Sequence, residues 1–118
     1  MNNPVYLVVE PIEIIAYDLA LNVSDYDGSA TVLVALTFEA ACETVQGYPD
    51  VKLAFVHLDP SSFSKTALAR VLDDRGAKVV FTGDSAERNP GGLLVLHRPF
   101  SAQTIAGLLA RTETSERA

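Results

Sequence analysis

Five side chains that could do chemistry follow apolar segments of the sequence. They are Glu10, His57, Asp59, Thr82 and Arg98. A continuous apolar run that stops at polar or turn residues is typical of a strand buried on both faces of a parallel sheet. In such sheets, ligands and reacting groups gather at the carboxyl ends of the strands. The sequence therefore predicts a candidate site along one edge of a sheet.

The segment 53–60, Leu-Ala-Phe-Val-His-Leu-Asp-Pro, is the clearest case of such a strand ending. Together with Glu10, its two polar residues His57 and Asp59 are candidates for a transition-metal or small-ligand site. A metal site needs at least three convergent ligands. The structural alternative is a hydrogen-bonded imidazole at His57 and, at Asp59, a capping carboxylate or a partner for Arg98.

Strands and helices alternate along the chain. Apolar runs predict strands at residues 5–9, 30–36, 51–57, 77–82 and 93–96. Apolar residues at helical spacing predict four helices, with these stripes: Ile12, Ile15, Ala16 and Leu19; Phe38, Ala41, Cys42 and Val45; Phe63, Ala67, Leu68, Val71 and Leu72; Ile105, Leu108 and Leu109. Residues 83–92 hold at most a turn or two of helix, because Pro and two Gly close the segment.

Turn and cap residues predict where these helices begin and end. Pro11 suits the first position of a helix, where its missing N–H is no loss, and a polar loop is expected from Asn22. Thr37 and Ser101 are predicted N-caps, and Gly76 is the predicted end of the third helix. The pattern predicts a doubly wound α/β fold of (βα)5 type, with a five-stranded parallel sheet and a shortened fourth helix.

Length and composition favour one globular domain over residues 1–118, with a core at about 4–110 and a polar tail at 111–118. The net charge of −6 argues against binding to nucleic acid or to an anionic membrane. No apolar run is long enough to span a bilayer. A single cysteine, Cys42, indicates a reducing cytoplasm. No phosphate-binding glycine loop, Ser-His-Asp order or metalloprotease helix is present, so an enzyme is not expected.

Three short motifs in order carry a family resemblance: Leu7-Val8-Val9-Glu10, Val79-Val80-Phe81-Thr82-Gly83 and Arg98-Pro99-Phe100. With their spacing, the chain from Val5 to about Leu109 resembles the receiver domain of two-component response regulators, which has a flavodoxin-like fold. The resemblance implies a site in which an acidic pair and an aspartate hold Mg²⁺. It also implies that the aspartate accepts a phosphoryl group from a histidine kinase, and that a Thr or Ser and a Lys then bind this phosphoryl group.

This sequence departs from that pattern at most of the site positions. Glu10 matches the first acidic residue, but Pro11 falls on the second and offers no oxygen ligand. His57 falls on the phosphoacceptor position, and Asp59 lies two residues later. Thr82 matches the Thr or Ser. Arg98 replaces the Lys and keeps its charge, with a planar fork in place of a compact ammonium.

These departures predict an atypical receiver, a pseudo-receiver that signals through protein contacts without Mg²⁺-dependent phosphorylation and without a cofactor. Its expected partners are a histidine kinase, another signalling protein or a second copy of itself. Two alternatives stay open. One is a working phospho-receiver that uses Asp59 with Glu10, Thr82 and Arg98, which requires the third strand to run one residue pair longer. The other is a ligand or transition-metal site at Glu10, His57 and Asp59.

Overall fold

The structure is a computed structural model that describes residues 4–58, 60–82, 94–96, 103 and 105–110. Its strands are β1 (Val5–Val9), β2 (Thr31–Ala35), β3 (Leu53–Val56), β4 (Lys78–Thr82) and β5 (Leu94–Leu96). Its helices are α1 (Glu13–Tyr26), α2 (Phe38–Val45), α3 (Pro60–Phe63) and α4 (Ala67–Asp74). Residues 105–110 are also helical and are called α5. From β1 to β4, helical residues separate each strand from the next, as the apolar pattern predicts.

The strands form one parallel sheet in the order β2-β1-β3-β4-β5. The structure confirms the predicted α/β class with a parallel sheet. Within the described chain, β5 is the shortest strand, with three residues. The predicted shortened fourth helix at residues 83–92, the N-cap Ser101 and the tail 111–118 lie outside the described residues.

Each face of the sheet carries its own core, which explains why the strands are apolar throughout. Successive side chains of a strand point to opposite faces, so Leu7 and Val9 pack into one core and Tyr6 and Val8 into the other. The first core includes buried residues of α2, α3 and α4: Ala41, Val45, Phe63, Leu68 and Leu72. The second includes buried residues of α1 and α5: Ala16, Leu19, Val23, Ile105, Leu108 and Leu109.

Helix α1 differs from its predicted form at both ends. It begins at Glu13 and not at Pro11, because Ile12 has an extended backbone and acts as the N-cap. The prediction of Pro11 as the first helical residue is therefore wrong. Ile12, which was predicted to belong to the apolar stripe of this helix, lies outside it and is 46% exposed. The helix also continues through the expected loop at Asn22 to Tyr26, because Val23 adds a further buried position next to Leu19.

The third predicted helix is two helices. Helix α3 ends at Phe63, and α4 begins after Thr66, whose hydroxyl accepts a hydrogen bond from the Ala69 amide (3.2 Å) and donates one to the Phe63 carbonyl (2.7 Å). At the other end, Gly76 has φ +71°, a conformation that favours glycine. The Ala77 amide donates to the Leu72 carbonyl (3.0 Å) and the Gly76 amide to that of Asp73 (3.1 Å), which is a Schellman ending.

Because Thr66 satisfies one helix-end donor and one carbonyl, we expect Thr66→Ala to lower the free energy of unfolding by about 1 kcal/mol, and by no more than about 2 kcal/mol. Chemical denaturation measures this change. Thr37→Ala is the matched comparison, because Thr37 caps α2 through the Ala40 amide (3.1 Å) but makes no second bond among those observed for its hydroxyl. An equal loss in the two variants would mean that the bond to the Phe63 carbonyl adds nothing.

Candidate functional site

Three of the predicted site residues lie side by side at the carboxyl edge of the sheet. Val9 is paired with Val56, and Val56 with Phe81, across the three neighbouring strands. Glu10, His57 and Thr82 are the residues that directly follow Val9, Val56 and Phe81 in the sequence. They therefore form a row across β1, β3 and β4, at the edge where parallel α/β sheets collect ligands.

Glu10 is a buried carboxylate with defined partners. Only 1% of the residue is exposed. Its amide donates to the carbonyl of Ala35 on β2 (3.1 Å), which fixes the backbone at the end of β1. Its Oε2 accepts a hydrogen bond from the Ile12 amide (3.0 Å). A buried charge needs hydrogen bonds and charge partners of this kind, because leaving water carries a large cost in free energy.

His57 supplies the second contact to that carboxylate. Its Nδ1 lies 3.5 Å from Glu10 Oε1, and 33% of the His57 side chain is exposed. Its amide donates to the Val9 carbonyl (3.1 Å), so the residue continues the β1–β3 pairing by one position. The imidazole is thus placed over the Glu10 carboxylate, with one side open to solvent. The charge on the pair depends on whether His57 is protonated.

The remaining predicted site residues differ in what the structure shows. Thr82 is buried, with 2% of its surface exposed, at the end of β4. Pro11 is exposed and lies between Glu10 and Ile12, before α1 begins. Asp59 and Arg98 lie outside the described residues. The alternative that uses Asp59 requires a longer third strand, whereas β3 ends at Val56 and Leu58 lies in a bend.

The donor set of the described residues does not fit Mg²⁺. This ion prefers several oxygen ligands in near-octahedral geometry. Pro11 has no side-chain oxygen, and His57 offers nitrogen. One Glu10 oxygen already accepts the Ile12 amide, and the other faces the imidazole. Among the residues that the structure describes, no group of three His, Cys, Asp or Glu could hold a metal ion.

Two features of the site were missed from the sequence. The Ile12 amide is the hydrogen-bond donor that orients Glu10, and the Ala35 carbonyl anchors its backbone. Backbone groups leave no mark in residue type. The only available signal was the short Glu-Pro-Ile segment, since a side chain two residues before an amide can accept its hydrogen bond. The Ala35 contact follows only from the β1–β2 register.

Cys42 was predicted to be a buried apolar residue of α2 and is only half-buried. It lines an open groove of about 220 Å³ between α2 and the start of α4, together with Phe38, Glu39, Thr66, Ala67 and Leu68. The prediction failed because Cys42 borders this open groove as well as the core. Partial burial and the nearby Glu39 carboxylate raise the pKa of the Cys42 thiol. Less thiolate therefore forms at neutral pH, which makes Cys42 a weak nucleophile.

No protein-family model and no curated protein matches the chain. Solved structures do match it. A response regulator receiver domain protein from Clostridium thermocellum has a TM-score of 0.70 at 10% identity, covering 97% of each chain. SdrG from Sphingomonas melonis Fr1 has a TM-score of 0.68 at 24% identity, covering 96% of this chain and 99% of its own.

A third match is a chain of the complex between the phosphorylated P1 domain of CheA3 and CheY6 from R. sphaeroides. Its TM-score is 0.63 at 16% identity, covering 96% of this chain and 95% of its own. These likenesses show that the fold is the flavodoxin-like fold of receiver domains. No helix within the described part of the chain is long and apolar enough to cross a membrane.

Proposed function

We propose that this protein is an atypical receiver domain of two-component-type signalling, which works through protein contacts and without Mg²⁺-dependent aspartyl phosphorylation. The fold it shares with receiver domains supports the signalling role. The observation that carries the rest is the contact between Glu10 and His57, 3.5 Å apart where the receiver resemblance expects a metal and an acceptor carboxylate. Its partners are protein partners, as in the CheA3–CheY6 complex.

The domain catalyses no reaction and needs no cofactor, because the imidazole and Pro11 leave Glu10 as the single carboxylate of the described row. With one cysteine, its place is the cytoplasm. The domain then switches between conformers when a partner binds. The size of the shift is set by the difference in the partner's affinity for the two conformers.

Intact-mass measurement after incubation with Mg²⁺ and an acyl phosphate tests this function. We expect no phosphoryl adduct, because the described row contains neither an acceptor aspartate nor a ligand set for Mg²⁺. A receiver that carries the acidic pair and the aspartate serves as the positive control under the same conditions. The Asp59→Asn variant is run in parallel. An adduct that forms on the unmodified protein and disappears in this variant would establish the phospho-receiver alternative instead.

A further inference from the structure

Strand β2 lies at one edge of the sheet and is paired with β1 on one side only. The Thr31 amide donates to the Pro4 carbonyl (2.9 Å), and the Ala35 carbonyl accepts from the Glu10 amide (3.1 Å). In a strand, the N–H and C=O of one residue point to the same side, and those of the next residue point to the other side. The first, third and fifth residues of β2 therefore bond to β1.

The second and fourth residues of β2, Val32 and Val34, direct their N–H and C=O groups away from β1. Within the part of the chain that the structure describes, no strand lies beyond them and no backbone group bonds to them. Their side chains are partly buried against the second core, and that of Leu33 against the first. The backbone along this edge is therefore a template on which a further strand can pair.

Strand β2 lacks the features that normally prevent pairing at an edge. Edge strands are usually protected by a charged residue, a proline or a bulge. The segment Thr31–Ala35 contains no charged residue, Pro or Gly, and it pairs with β1 residue by residue without a bulge. Its three central residues are apolar, and two of them are β-branched, which favours strand pairing. This edge is typical of one that another strand completes.

The sequence of β2 indicates that this strand is β2 of a second copy. Its centre, Val-Leu-Val, reads the same in both directions. In an antiparallel pair about a two-fold axis at Leu33, Val32 of each copy lies opposite Val34 of the other. Opposite residues in antiparallel strands alternate between pairs that exchange both backbone hydrogen bonds and pairs that exchange none. The outward-facing valines then occupy the bonded positions, and the two Leu33 side chains meet at the non-bonded position, where side chains are closest.

We propose that two copies of this chain associate through β2, by antiparallel pairing centred on Leu33, into one continuous sheet. A two-fold contact uses the same edge on both copies and therefore closes as a dimer. The contact is small and belongs to the weak, transient class of interfaces. This inference deepens the proposed function and rests on it for its signalling role, since it gives the surface through which the domain contacts a second copy.

Charge near β2 opposes the contact without entering it. Residues 27–46 include Asp27, Glu39 and Glu43 and no Lys or Arg, but all three carboxylates lie beyond the ends of the strand. Each copy has a net charge of −6, so the two copies repel each other, and salt screens this repulsion. We therefore expect salt to strengthen the dimer.

Disulfide cross-linking tests the register. In a Cys42→Ala background, Leu33→Cys places the two cysteines opposite each other with Cα atoms about 4.5 Å apart, which a disulfide can bridge. Thr31→Cys is the matched control. Position 31 faces the same side of the sheet, but the two copies of it are about 13 Å apart in this register. Mild oxidation should yield at least about tenfold more covalent dimer from Leu33→Cys. Equal yields, or no dimer from Leu33→Cys, would overturn the proposal.

Sedimentation tests the contact at equilibrium. The unmodified protein should form a dimer that increases with protein concentration and with salt. Leu33→Lys and Leu33→Glu should each weaken dimerisation at least about tenfold, because like charges meet at the two-fold axis. An equimolar mixture of the two variants should restore it. Thermal unfolding checks that both variants are folded. A mixture that associates no better than either variant alone, or a dimer that dissociates as salt rises, would contradict the proposed interface.

Amide hydrogen exchange tests the edge without any substitution. The Val32 and Val34 amides should exchange more slowly as the protein concentration rises, whereas the Leu33 amide, which faces β1, should be protected at every concentration. Protection of the two valine amides that is independent of concentration would assign the edge to another segment of the same chain and overturn the proposal. None of these measurements uses Mg²⁺ or a phosphodonor, so the dimer proposal and the phosphorylation test can fail separately.

Discussion

Replacing Phe55 by Ala should lower the free energy of unfolding by about 3–5 kcal/mol, which is the usual cost of deleting a buried aromatic ring. Phe55 is 1% exposed and lies on the central strand β3, in the core beneath α1 and α5. Its ring is one of the largest groups in that core. A total stability of about 5–15 kcal/mol is ordinary for a domain, so this one substitution should remove a large part of it.

Urea denaturation of the Phe55→Ala variant measures this loss, and Tyr17→Ala is its matched control. Tyr17 is also aromatic and lies on α1, but 56% of it is exposed. Substitutions at such surface positions usually change stability by no more than about 0.5 kcal/mol. Similar losses in the two variants would mean that α1 does not pack on the sheet with Ala16 and Leu19 inward.

Replacing His57 by Asp should lower the free energy of unfolding by about 1–3 kcal/mol at neutral pH. The new carboxylate would lie against Glu10, which is buried and bonded to the Ile12 amide. Two carboxylates in one site repel each other, and the cost is smaller than the about 3–5 kcal/mol of an uncompensated buried charge because 33% of the side chain at position 57 is exposed. His57→Asn is the matched control, because it has the same shape as Asp and no charge. The Asp variant should be the less stable of the two.

Two titrations show whether charge causes the difference between these variants. The gap between Asp and Asn should narrow as the pH falls towards about 4, where carboxyl groups begin to take up protons. Millimolar Mg²⁺ should stabilise the Asp variant, by about 1.4 kcal/mol if the concentration is tenfold above the dissociation constant, and should leave the unmodified protein unchanged. Equal stability of the two variants at neutral pH would show that Glu10 and residue 57 are not in contact.

The fold was predictable from the sequence where burial dictates residue type. Strand β1 is apolar at every position because both faces of the sheet are covered, and this produces the run Val5–Val9. The break between α3 and α4 was not predictable in the same way. Phe63 and Ala67 keep helical spacing across the break, and the turn between them is held by the hydroxyl and the amide of Thr66, which both donate to the Phe63 carbonyl. A single side-chain hydrogen bond leaves a weaker mark than a repeating apolar pattern.

The candidate site was predictable at the level of its strand ends and not at the level of its contacts. Strand order and register bring Glu10 and His57 together, although 46 residues of other elements separate them. The start of α1 was misplaced because proline is a good first helical residue in general. Here the Glu10 carboxylate takes the Ile12 amide, which makes Ile12 the cap and leaves Pro11 outside.

The hydrogen bond from the Ile12 amide to Glu10 also links the candidate site directly to the start of α1. Only Pro11 lies between the buried carboxylate and the residue that caps the helix, and its ring fixes one of its two backbone torsions. Such a short connection has little conformational freedom. We expect a displacement of α1 to be transmitted to Glu10. The hydrogen-exchange rate of the Ile12 amide should therefore change when α1 is displaced.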